Sequence, residues 1–201
     1  MKRKPFIAIY AVNALFVALV AGLFGLRSVS NAGVLSEWSS IQIFIFLSYT
    51  IGLFALLALF FEILLLTYPL VKELRKTVLT LFILIDSSLL IFSLTDSFVY
   101  PLYRTHLNLA MIQMTLFGGG RIVSFSPRML GEIGLMILAI LLLSYWFARL
   151  SFCFSKYKKT VYAFFALGLT AFAVSNFSYS WGFANFNNRL ISVFDKIPLA
   201  R

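Results

Sequence analysis

Residues 41–68 read IQIFIFLSYTIGLFALLALFFEILLLTY and carry one charge, Glu62. A strand in a half-buried sheet or a lipid-facing barrel alternates apolar and polar side chains. This run does not alternate. It also exceeds the ~20 residues a helix needs to cross hydrocarbon. It therefore predicts a transmembrane helix, long enough to tilt or to extend past the bilayer.

Four more runs of the same kind flank it: Pro5–Leu26, Thr77–Val99, Met129–Arg149 and Thr160–Trp181. The composition agrees, with 61% hydrophobic and 12% charged residues and a mean hydropathy of +0.95. A soluble domain carries about 25% charge, enough to face water on all sides. The expected fold class is thus all-α and integral to the membrane. Residues 1–181 form a bundle of five transmembrane helices, and residues 182–201 form an interfacial helix or linker outside it.

The start, Met1-Lys2-Arg3-Lys4 before a long apolar run, has the look of a signal peptide. The apolar part is too long for a signal h-region of roughly 7–15 residues, so it is read as an uncleaved first helix. Orientation follows from Lys and Arg. With the N-terminus in the cytoplasm, the inner segments hold Lys2, Arg3, Lys4, Lys72, Arg75, Lys76, Arg149, Lys156, Lys158 and Lys159. The longer outer segments hold Arg27, Arg104, Arg121, Arg128, Arg189, Lys196 and Arg201. Positive charge is denser on the first side, which favours N-terminus in and C-terminus out. The short inner connections make helices 2 and 3, and helices 4 and 5, expected antiparallel neighbours. The net charge of +10 belongs to this pattern of helix ends and shows no groove for nucleic acid. Cys153 is the only cysteine, so no internal disulfide forms.

After the fifth run, Phe183, Phe186, Leu190, Val193 or Phe194, and Ile197 recur at helical spacing. Polar residues fall between them, and Pro198 follows. The pattern predicts an amphipathic helix on the outer membrane–water interface. The longest outer connection, Tyr100–Arg128, contains Gly118-Gly119-Gly120, a turning or flexible stretch.

Three groups of residues could carry chemistry. Glu62 and Asp86 are intramembrane acids, costly in hydrocarbon by at least ~2.5 kcal/mol each. They face the bundle interior, either as protonated packing residues or as parts of a proton or ion path. A second group opens at the outer end of helix 3, with Asp96, Ser97, Tyr100, Tyr103, Arg104, His106 and Asn108. One His and one Asp fall short of the three protein ligands of a catalytic zinc. No nucleophile–base set can be specified, so neither metal nor catalytic residues are assigned, and no cofactor is implied. The third group is basic. Arg104, Arg121, Arg189, Lys196 and Arg201 fall on the outer side, where guanidinium forks suit the phosphate of an anionic lipid.

Asp96-Ser97-Phe98-Val99-Tyr100, then Tyr103, then His106-Leu107-Asn108, resembles the D-S-x-V-[FY]-x-x-[FY]-x-x-H-L-N segment of the YejM/PbgA-type inner-membrane proteins. Trp181, Ala184-Asn185-Phe186 and Pro198-Leu199 resemble that family's W-A-D-A-N-[FY] and L-P-L elements, with Phe183 where an aspartate is usual. Tyr68-Pro69-Leu70 is similar to its aromatic-Pro-Leu exit from helix 2. The resemblance implies a five-helix membrane domain in the inner membrane of Gram-negative bacteria, N-terminus cytoplasmic and C-terminus periplasmic. In such proteins it precedes a periplasmic domain of the sulfatase/alkaline-phosphatase superfamily. It further implies a role in envelope lipid homeostasis, with lipopolysaccharide or cardiolipin as ligand and a membrane-anchored regulatory protein as partner.

The expected function is a non-enzymatic module that binds anionic lipid at its periplasmic face. Arg104, Arg121, Arg189, Lys196 and Arg201 neutralise phosphate. Asp96, His106, Asn108 and Asn185 order the periplasmic loop and brace it against the tail. Two alternatives stand beside it. One is the membrane anchor of a phosphoethanolamine- or phosphoglycerol-transferase-like hydrolase. The other is a small proton-coupled transporter, which requires Glu62 and Asp86 to share one polar site.

Overall fold

A computed structural model describes residues 6–66, 75–103, 106, 127–154, 157–194 and 196–197. Among these residues the chain is all-helical. It comprises α1 (Phe6–Asn31), a 3-10 turn (Leu35–Glu37), α2 (Ser40–Leu66), α3 (Arg75–Tyr103), α4 (Pro127–Phe154), α5 (Lys158–Ala184) and the short α6 (Asn188–Phe194). The helices α1 to α5 are each long and apolar enough to cross a membrane, so the protein is a multi-pass bundle.

Local chemistry sets the helix ends. Gly33, at φ +74, closes α1 with a bond from the Val34 N–H to the Val29 carbonyl, 3.2 Å. Ser39 and Gln42 open α2 as a reciprocal pair. The Ser39 N–H donates to Gln42 Oε1 at 2.9 Å, and the Gln42 N–H donates to Ser39 Oγ at 3.4 Å. After α5 the chain turns back at Phe186, whose φ of +52 is unusual for a non-glycine. The Asn187 N–H there bonds the Gly182 carbonyl at 2.8 Å.

α1 is the hub, and α2, α3, α4 and α5 all pack on it. Its buried surface is rich in small residues, Ala11, Ala14, Ala18, Ala21 and Gly25 among them. Small residues let helix backbones approach closely, which is what drives association when lipid tails are as apolar as side chains. Polar groups add interhelical bonds. Ser93 of α3 donates to the Ala21 carbonyl of α1, and Ser175 of α5 to the Ile45 carbonyl of α2, each at 3.4 Å.

α4 touches the bundle through one stripe, Ile140, Ser144, Ala148 and Ser151, and its preceding half lies open. α5 leans on α2 through Phe172 and Ser175. α2 and α3 touch, as expected from their short connection. Among the described residues the expected α4–α5 packing is not a main contact, because α4 packs chiefly on α3 and α1, and α5 chiefly on α2.

The tail folds back on the bundle. Val193, Phe194 and Ile197 are buried with Val29, Ile45 and Phe46. Phe194 also meets the rings of Tyr49 and Tyr179, with centroids 5.2 and 4.6 Å away. For these three apolar residues the partner is protein. Phe183 and Phe186 of the same expected stripe stay exposed.

Candidate functional site

Two polar clusters occupy opposite ends of the bundle. The first lies toward the end that carries the N-terminus. Asn13 of α1, Glu62 of α2, Asp86 of α3 and Ser151 of α4 are all fully buried there. The Asn13 amide nitrogen donates to Glu62 Oε1 at 2.9 Å and to Asp86 Oδ1 and Oδ2 at 2.9 and 2.8 Å. Ser151 Oγ donates to Asn13 Oδ1 at 3.3 Å and to the Phe147 carbonyl at 2.8 Å. The up-and-down order of the helices explains the meeting. Early α1, late α2, early α3 and late α4 lie on one side. Asn13 and Asp86 both lie within the apolar spans of their helices.

The two carboxyls share one nitrogen, so they stand within about 6 Å of each other, where two negative charges repel by about 3 kcal/mol at an effective dielectric of 20. Ile9, Tyr10 and Phe82 pack in the adjoining apolar cluster. Among the described residues the ion pairs are His106–Asp96 and Arg128–Glu132, and neither involves these acids. Glu62 Oε2 is buried with no hydrogen-bond partner. Glu62 and Asp86 are thus brought together, and Asn13 and Ser151, which carry no charge, join them. A lone Asn inside an apolar run was the available signal for Asn13, since such a residue seeks a partner on another helix.

The second cluster lies at the far end of α3. His106 Nδ1 is 2.8 Å from Asp96 Oδ2. The His106 ring stacks on the buried Tyr100 ring, with centroids 4.6 Å apart and planes 16° from parallel. Lys196, from the tail, sets its Nζ 5.8 Å from the Tyr100 centroid. Arg27, from α1, sets its guanidinium carbon 4.7 Å from the centroid of Phe98. Both distances are within cation–π range. Two cations distant in sequence therefore rest on one turn of α3. Arg189 is exposed on α6, and its carbonyl accepts from Gln42 Nε2 at 3.0 Å, which ties the tail to α2.

Asn185 stands apart from this cluster. It is exposed, and its side chain donates to the Trp181 carbonyl of its own helix at 2.8 Å. Arg104, Arg121, Arg201 and Asn108 lie outside the described residues. Arg27 is the cation that the sequence did not single out, because it reads as an ordinary charged helix end. Among the described residues, no three His, Cys, Asp or Glu side chains gather as a metal site.

The family model described as a domain of unknown function, DUF3413, matches residues 3–200. No curated protein matches the chain.

Proposed function

The chain belongs to the DUF3413 family, the N-terminal membrane-anchor domain of sulfatase-family membrane proteins such as YejM/PbgA, and from that premise we propose that it also binds the head group of an anionic lipid at the far end of α3. The observation that carries this is the seating of Arg27 on the Phe98 ring and of Lys196 on the Tyr100 ring, both in one turn of α3. Cations held on aromatic rings at the edge of a bundle present positive charge at head-group depth, and the rings sit where interfacial aromatics are favoured. Arg189 adds a third charge on the exposed face of the tail. The Asp96–His106 pair positions the turn, and Tyr100 links that turn to Lys196. In this proposal the far end faces the periplasm of a Gram-negative cell and the N-terminus the cytoplasm. Lipopolysaccharide or cardiolipin is the ligand. Occupancy is passed to a membrane-anchored partner that adjusts envelope lipid synthesis.

The test is native mass spectrometry of the protein in mild detergent, with lipid extraction from the same sample. Each basic residue near an anionic surface contributes about 1 kcal/mol, close to fivefold in affinity. Neutralising Arg27, Arg189 and Lys196 together is expected to strip anionic lipid and leave zwitterionic lipid bound. Equal retention of anionic lipid by the triple variant defeats the proposal.

A further inference from the structure

We propose that Asn13, Glu62 and Asp86 form an intramembrane proton-binding site, in which protons held by the two carboxyls fix the contact of α2 and α3 with α1. The site stands apart from the lipid-binding turn and does not depend on it.

The case rests on donors and acceptors. The Asn13 amide has two hydrogens, and three carboxyl oxygens lie 2.8–2.9 Å from its nitrogen. The fourth carboxyl oxygen, Glu62 Oε2, is buried and has no partner. The Ser151 hydroxyl is directed to the Phe147 carbonyl and to Asn13 Oδ1, away from the acids. Acceptors outnumber donors in a site closed to water, and buried polar groups normally find partners. Protons on the carboxyls supply the missing donors. Turning the Asn13 amide over leads to the same conclusion. Its Oδ1 would then face the acids, and the carboxyls would have to donate to it.

A metal ion suits the site less well. The Asn13 N–H groups point between the carboxyls, where a cation would be coordinated, and a hard cation takes six or more oxygens. Among the described residues the charged and titratable neighbours are few. On α1, Tyr10 is one turn before Asn13 and meets Phe82 of α3 edge-on, with centroids 5.0 Å apart. On α4, Arg149 is exposed and turned to Tyr145, 5.7 Å from its ring, and Cys153 is exposed. The proton step is simple. Each carboxylate takes up one proton delivered as hydronium from the nearer end of the bundle: one carboxyl O–H bond forms as an O–H bond of hydronium breaks, and water is left behind. With the protons gone, two negative charges share one amide, and the three-helix contact opens.

Infrared spectroscopy of the full chain in nanodiscs tests this through the C=O stretch of protonated carboxyls. Wild-type protein is expected to show a band that gains intensity as pH falls. Five other acidic side chains contribute at low pH, so the site is read at neutral pH, where Glu62→Gln and Asp86→Asn should each lose part of the band and the double variant all of it. Because the pair titrates as a unit, each single variant should also shift the midpoint of what remains. Glutamine and asparagine mimic the neutral acids in shape, so unfolding of the double variant in mixed micelles should lose the pH dependence of wild type. The absence of any such band, or its persistence in the double variant, overturns the proposal. Loss of the band when sodium replaces choline at fixed pH assigns the site to a metal cation and overturns it as well.

Discussion

α1 and α5 are both apolar spans, yet they sit in opposite environments. In α1, 61% of the membrane-crossing window is buried inside the protein, against 6% in α5. α2 is more apolar than α1 yet less buried, so apolarity does not decide which helix becomes the centre. Residue size and a single amide decide it. α1 offers alanines and glycines on its inner faces, so that Ile51 and Phe46 of α2 close over Gly22 and Gly25. It also carries Asn13, which bonds acids on two neighbours. α5 presents Phe164, Leu167, Phe177, Trp181 and Phe183 outward, where lipid is a sufficient partner. The hub is thus built by close approach and hydrogen bonding, and the flank by solvation in hydrocarbon.

That contrast breaks most severely at Asn13. Replacing it with Leu leaves two buried carboxyls without their donor, a cost of about 2–3 kcal/mol. Titration with a denaturing detergent should show the variant unfolding well before wild type, while Phe177→Leu on α5 unfolds with it. Next comes a tight point at which α5 meets α2. A Cβ on Gly52 would lie 2.5 Å from Phe172 Cβ, which cannot swing away as a side-chain tip can. Gly52→Val is expected to cost about 1–3 kcal/mol by overpacking. Its effect should appear as exposure of α5 to a thiol probe at an engineered cysteine beside Phe172.

The far-end cluster gives a smaller effect. His106→Ala takes away the 2.8 Å partner of Asp96, which is buried, and should cost about 1–2 kcal/mol. Hydrogen exchange should then quicken in α6, because Tyr100 loses its stacked ring and Lys196 its seat. The smallest effect is expected on the lipid-facing surface. Nothing lies within 4 Å of a Cβ built at Gly134 or Gly168. Alanine at either position should change stability by no more than about 0.5 kcal/mol. A large loss at Gly168 would mean that α5 has a protein partner on the face now open, and the contrast with α1 would fail.

Much of the fold is legible in the sequence. Runs such as Ile41–Tyr68 can satisfy their backbone polar groups in hydrocarbon only as helices. The candidate site was legible in part. Glu62 and Asp86 stand out because charge is rare and costly in such runs, and Asp96 and His106 stand out as polar residues at a helix exit. Asn13 and Ser151 were not legible as their partners. An uncharged polar side chain costs little by itself, and nothing in spacing links position 13 to positions 62, 86 and 151. The same holds for Arg27 and Lys196, which are ordinary charges until α1 and the tail both reach the last turns of α3.

The sequence by itself determined the number of crossings, their order and the places where acids enter hydrocarbon, because the bilayer imposes length and apolarity on each segment separately. The tertiary structure alone decided that α1 is the hub, that α4 packs on α3 and α5 on α2, that the tail's Val193, Phe194 and Ile197 pack on protein, and that two acids share one amide. In a lipid solvent every apolar face is equally content, so the arrangement of helices is chosen by close packing of small residues and by a few polar contacts between distant positions.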